Sequence, residues 1–424
     1  MGQPEKGASK GDFLDELTEL ATSVNIETIP PAVCHAGRRT LVDTIASILV
    51  GMNEPKLGAL ASQMVEASIA PCCTILGTPH RADPVWAALV NGTAGVWHEL
   101  DGGNRFAAGH PAVYAVSAGI AVAEQTRSSG KRLLEAIIAG YEVGTRVGLG
   151  TTLRPGMDSH GSWPLVGAAV AAGLLMGYGQ NELRETINVS TSLNLATSLK
   201  ATYQGATIRN VYAGFGSAMG VLAADLVQDG VTGETDGVST VFGNIAGVYL
   251  DIEKVVEDIV KRWDIERGYH KRHACTRSID PALDALIRIT EKDDIGAAEV
   301  ERIEVRTSAM AATMSNVSPD SALAAKFSIP YTVASYLVLG ETGIKAYCSQ
   351  ALRDSRIKAL ASRVVVKNDL GLDAQTPAER PAEVRVELRD GRKLEASVHL
   401  PAGEFDMEPV LSLIHISEPT RLQV

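Results

Sequence analysis

The sequence predicts a two-domain protein, a large all-helical domain followed by a smaller α+β domain. Three observations carry this. The chain has 424 residues, 45% of them hydrophobic and 21% charged, which at roughly 150 residues per domain leaves room for two or three cores. Its apolar residues recur at helical spacing from Asp12 to about Asp264. Beyond Tyr269, β-rich runs and a hairpin turn take over. Forty glycines against six phenylalanines and four tryptophans also favour closely approaching backbones over an aromatic-rich sandwich.

The helical domain is expected over residues 1–268, with long apolar segments at Ala112 to Glu124, Leu133 to Gly148 and Leu165 to Met176. Val211 to Leu226 carries Gly214, Gly216, Ser217 and Gly220 among apolar residues, the pattern of a helix packed on most sides. The α+β domain is expected over residues 269–402. Strands are predicted at Ile303 to Thr307 and Arg363 to Lys367, and Glu383 to Leu388 should pair with Lys393 to Val398 across Asp390-Gly391. Helical patterns at Pro281 to Thr290, Tyr331 to Leu339 and Ser349 to Leu360 separate the strands, so a small sheet covered by helices is the economical arrangement. Residues 403–410 are expected to return toward the helical domain. Residues 411–424 fit neither period, and Leu411 to Arg421 reads as the translation of a transposon-type library end. An adapter-derived tail is therefore expected, with the native chain continuing past about Pro409.

Charge narrows the partners. Lys plus Arg total 39 against 50 Asp plus Glu, a formal charge of -11, and no basic block could neutralise a phosphate backbone, so no nucleic acid is expected. The apolar stretches are interrupted before the roughly 18 residues a membrane span requires, so no membrane partner is expected either. Cys34, Cys72, Cys73, Cys275 and Cys348 form no CxxC pair and are odd in number, which points to a reducing cytoplasm. A polyanionic substrate would need a local cluster of Lys, Arg and His to overcome the acidic field.

Four polar strings supply such residues. Asn91 to Pro111 contains His98, Glu99, Asp101, Arg105 and His110, with glycines at 102, 103 and 109 that allow backbone approach, which offers acid, base and orienting groups in one loop; a solvated interhelical loop would read similarly. Asp158-Ser-His160-Gly-Ser-Trp-Pro164 precedes an apolar helix whose N-terminus could face an anion, though a histidine there could equally be a cap. Lys200 and Arg209 flank Gly205 and suit carboxylate binding if the chain bends there; a solvated turn is the alternative. Tyr269 to Pro281 holds His270, Lys271, His273, Cys275, Arg277 and Asp280 at the domain junction, where ligand sites are common. His270, His273 and Cys275 could ligate zinc, but no fourth ligand follows, and no metal is expected.

These strings, in this order and at these separations, resemble the MmgE/PrpD family, which includes 2-methylcitrate dehydratase, cis-aconitate decarboxylase and iminodisuccinate epimerase. Lys326-Phe-Ser-Ile-Pro-Tyr331 and Gly391-Arg-Lys-Leu-Glu-Ala-Ser-Val398 extend the similarity. The resemblance implies a large all-helical domain, a smaller α+β lid, a homodimer, and a cofactor-free site acting on polycarboxylates. It assigns catalytic positions to His110, His160 and Lys200, with Glu99 and Asp101 beside them. Arg105, Lys271, Arg277 and Tyr331 are the expected substrate-binding residues. Two departures stand out. The family's Asp-x-Asp-Asp-Thr is here Glu99-Leu-Asp101-Gly102-Gly103, and Asp280 stands where many relatives carry histidine. The expected reaction is dehydration of a small di- or tricarboxylate by proton abstraction next to a carboxylate. Epimerisation or decarboxylation of an acidic substrate is the alternative, and non-catalytic carboxylate binding is the alternative from another class.

Overall fold

Prolines Pro31, Pro55, Pro84, Pro111 and Pro164 each open a helix of the first half, where the missing N–H costs nothing and φ is already set. The computed structural model describes residues 12–405 apart from residue 260, together with residue 407. The predicted tail, residues 411–424, lies outside them.

Helices Pro84–Val96, Pro111–Thr126, Gly130–Gly150, Pro164–Leu175 and Ile208–Gln228 pack against one another. Pro164–Leu175 is buried along its whole length, as its lack of a polar face requires. Close approach depends on glycine: a Cβ on Gly140 would lie 2.4 Å from the Gly167 carbonyl oxygen, so any side chain there would force the two helices apart. Ile208–Gln228 is long and apolar enough to cross a membrane by length and composition, but 56% of its apolar window is packed inside the molecule.

The expectation of an all-helical first half needs correction. Three two-stranded pairs interrupt it: Cys73–Thr74 with Arg81–Ala82, Gly103–Asn104 with Gly268–Tyr269, and Thr151–Leu153 with Gly247–Leu250. They are too short to leave a period-2 signal. The second pair ties the loop before Pro111 to the start of the junction string.

In the second half a four-stranded sheet runs in the order Lys393–Val398, Ala382–Leu388, Val300–Thr307, Val364–Asn368. The predicted hairpin is present, with Leu394 opposite Val386. Val364–Asn368 runs parallel to Val300–Thr307, with helices Ala322–Lys326, Ile329–Leu339, Ser349–Arg353 and Ser355–Ala361 in the crossover. The predicted helix from Ser349 to Leu360 is therefore two, because Asp354 leaves helical φ/ψ and caps the second by accepting from the Arg356 N–H. Asp280–Lys292 covers the sheet. The two halves have separate apolar cores.

Candidate active site

The loop between Val96 and Pro111 brings the first string against the second. His110 Nδ1 donates to the Gly102 carbonyl at 3.0 Å and lies 2.8 Å from Asp101 Oδ2. The His110 ring stacks on His160, with centroids 4.7 Å apart and planes 17° from parallel. Trp163 fixes the loop from behind, since a Cβ on Gly109 would meet its Cζ2 at 2.3 Å. Glu99 and Ala108 hold left-handed φ of 57° and 52°, a conformation costly for both residues and typical of loops built for a site.

The contacts of the two histidines fix their tautomers. Both neighbours of His110 Nδ1 are acceptors, so Nδ1 carries a proton, and Nε2 is the nitrogen that bears the lone pair in the neutral ring. The Tyr114 hydroxyl already accepts from the Gly161 N–H at 2.6 Å, and its other contact is His160 Nδ1 at 3.3 Å. Its own proton therefore goes to Nδ1, which leaves the His160 proton on Nε2. That Nε2 is buried without a hydrogen-bond partner. Burial, and then the Arg209 guanidinium, hold the His160 pKa well below the ordinary value, so the ring is neutral.

Around the pair lies a buried ionic network. Arg209 pairs with Glu99, and its Nε lies 3.8 Å from Asp158 Oδ2; Thr202 donates to the same Asp158 oxygen at 2.9 Å. Lys271 Nζ lies 3.2 Å from Glu99 Oε2 and 3.5 Å from Asp101 Oδ1. Burial alone would raise both carboxyl pKa values, but Arg209 and Lys271 hold Glu99 below its usual value, and His110 and Lys271 hold Asp101 well below. The same carboxylates keep Lys271 charged against its own desolvation. Lys326, from the other half, donates to the Trp97 carbonyl at 3.1 Å and lies 3.4 Å from His98 Nδ1; burial brings its pKa down to about 8. Asp101, His110 and His160 offer donor atoms within 4.8 Å of one another, the one group among the described residues with the donor set for a metal ion.

The expected residues thus divide. Glu99, Asp101, His110, His160 and Lys271 come together. Lys200 does not join them: it is exposed on the short helix Leu199–Tyr203, and its ammonium has no ion pair or hydrogen bond among the described residues. Arg209 from the same string is buried instead, because the chain turns at Gly205, φ 69°, and starts the helix Ile208–Gln228. Tyr331 belongs to the second core, its hydroxyl donating to the Ala346 carbonyl at 2.8 Å. Arg105 and Arg277 share one carboxylate, Glu404, at 2.6 and 2.9 Å. The zinc alternative dissolves in the contacts: His270 faces Asp43, His273 bonds Asp284 and Thr342, and Cys275 bonds Asp280. Asp280 pairs with Arg277 at 2.8 Å. Tyr114 and Lys326 carry no assignment in the sequence reading, since one sits in an apolar helix and the other in a motif noted only for its resemblance.

Comparison with known proteins matches the MmgE/PrpD N-terminal domain to residues 15–251 and the MmgE/PrpD C-terminal domain to residues 273–410. A cis-aconitate decarboxylase-like protein, oryM, of Aspergillus oryzae is 26% identical, covering 94% of this chain and 88% of its own. A cis-aconitate decarboxylase of Aspergillus terreus is 21% identical, covering 96% and 89%.

Proposed function

Because the chain belongs to the MmgE/PrpD family, we propose that it is a lyase acting on a small di- or tricarboxylate, with no metal or organic cofactor. One observation carries the reading: two histidines stack, Nδ1 of His110 against acceptors and Nδ1 of His160 against a hydroxyl, an arrangement that makes one Nε2 a base and the other a donor.

In this reading His110 Nε2 removes the proton from carbon next to a substrate carboxylate. The electron pair forms the new C=C bond as the C–O bond at the neighbouring carbon breaks, and the protonated His110 returns the proton to the departing oxygen as water. Asp101 stabilises the imidazolium formed in between. His160 stays neutral and points Nε2–H at the oxygen on which enolate charge develops, as an electrophile that never ionises. Arg209 and Lys271 supply positive charge, shared with Glu99, Asp101 and Asp158. A neutral donor is not a second base, so the pair favours a lyase over an epimerase.

Dehydration of a 2-methylcitrate-like acid is the first form of the proposal. Decarboxylation is the second, favoured by the names of the two fungal relatives; there the carbon–carboxylate bond breaks and His110, entering protonated, protonates the carbanion. The test is incubation of chelator-washed protein with a panel of di- and tricarboxylates, including 2-methylcitrate and cis-aconitate, in deuterated water followed by NMR. Elimination, or decarboxylation with deuterium delivered to the carbon that loses its carboxylate, is expected. No exchange and no turnover with any acid would leave a carboxylate-binding protein instead.

A further inference from the structure

A cavity of about 240 Å³ lies between the two halves, and none of Asp101, His110, His160, Arg209 or Lys271 lines it. Its walls combine Arg105 and Ala108 of the first half with Pro281, Met310, Arg380 and Pro381 of the second. Somewhat smaller than the roughly 300–1,000 Å³ of most ligand sites, it has their usual make-up, apolar walls with a few convergent polar groups.

We propose that this cavity is a second ligand site, for a small amphipathic monocarboxylate whose head binds between Arg105 and Arg380 and whose hydrocarbon body rests on Pro281, Met310 and Pro381.

The pairing of the charges supports an anion. Around the buried Tyr269 ring, Arg277 lies 4.7 Å and Arg380 5.5 Å from the centroid, and Arg105 joins Arg277 through Glu404. Glu404 and Asp280 are the carboxylates paired within this group of three guanidiniums among the described residues, so the charge of one guanidinium is left without an ion-pair partner. It falls on Arg380, half-buried, whose guanidinium makes no hydrogen bond or ion pair among the described residues. Arg105 is 6% exposed, and its Nε is buried without a hydrogen-bond partner. A buried donor left unmade is costly, and a carboxylate would satisfy it. Asp373 also lines the cavity, but it accepts from the Ala309 N–H at 2.9 Å and pairs with neither arginine. A dicarboxylate suits the cavity less well, because its second charge would lie on proline and methionine.

Hexanoate is the probe, followed by ¹³C-methyl methionine NMR with the Met310 resonance assigned through Met310→Leu. Met310 is 56% exposed, so that variant is expected to fold. Hexanoate should shift the Met310 methyl saturably, 1-hexanol should not, and Arg380→Ala should weaken hexanoate binding about tenfold or more, the scale of a charge-assisted contact. A Met310 resonance that does not move, an equal response to 1-hexanol, or an unchanged affinity in Arg380→Ala would each overturn the proposal. The readout needs no turnover, so it stands or fails independently of the lyase reading.

Discussion

Asp101 Oδ2 sits 2.8 Å from His110 Nδ1 with both side chains largely buried, and this contact decides which nitrogen of His110 is free. Asp101→Asn keeps the shape but turns an acceptor-only group into one that also donates. It therefore permits the other tautomer, with Nε2 protonated and no longer a base. Turnover should fall by roughly 10²–10⁴, the range for general acid–base catalysis, with KM little changed. An equal loss in KM and kcat, measured by steady-state kinetics on the substrate found in the NMR screen, would assign Asp101 to binding instead.

Stability should fall in mild acid. Burial brings the His98 pKa down to about 3, and Lys326 adds to the shift; burial and Arg209 depress His160 as well. Below the unfolded histidine value of about 6.5, the unfolded chain binds protons that the folded chain refuses, so this contribution is lost between about 6.5 and 3. Glu99 and Asp101 are also depressed, and theirs is lost as pH falls through their folded values. Both act in one direction. Glu142, pushed up to about 8 chiefly by burial, works against them as pH falls, so melting temperatures should decline below about pH 6.5, and a rise from there to pH 5 would contradict buried neutral histidines.

Much of the fold was legible in the sequence, because long amphipathic and apolar segments declare themselves by period. Pro111–Thr126 and the hairpin strands Ala382–Leu388 and Lys393–Val398 were readable for that reason, whereas their register, with Lys393 opposite Glu387, is one residue off what a two-residue turn at Asp390-Gly391 would give. The site was legible only in part. The loop strings located Glu99, Asp101, His110 and His160, yet Lys200 and Arg209 carry the same charge in the same string. Only the turn at Gly205 determines which of them is buried. Tyr114 lies between apolar residues in a helix that reads as core, and its role follows from a hydrogen bond to Gly161, distant in sequence. No local pattern encodes such a contact.

Lys326 should report on pH from the opposite side. Its folded pKa of about 8, lowered chiefly by burial, lies below the unfolded value of about 10.4, so between the two the unfolded chain binds more protons and stability rises with pH. At pH 7 the buried charge is a net cost, and Lys326→Met should raise the melting temperature by the equivalent of up to about 3 kcal/mol. The same variant should lose an activity limb near pH 8, where the charged donor to the Trp97 carbonyl disappears in the parent. A lower melting temperature would mean that the contact with Trp97 outweighs the desolvation.

Lys200 and Arg209 provide the sharpest contrast, since the sequence offered both and the fold buries one. Arg209 is 4% exposed between Glu99 and Asp158, so Arg209→Met leaves Asp158 without its cation and Glu99 with Lys271 alone, and should cost about 3–5 kcal/mol, as breaking buried pairs does. Adding Glu99→Gln should recover part of that loss, because the stranded charge is then removed; the double-mutant cycle measures the coupling directly. Lys200→Ala touches no partner among the described residues and should change stability and kcat/KM by no more than about 0.5 kcal/mol, the usual scale for surface positions. If Lys200→Ala instead raised KM strongly with the fold intact, Lys200 would have to move onto the substrate when it binds. The carboxylate-binding role that the Lys200 to Arg209 string suggests for it would then be realised only in the bound state.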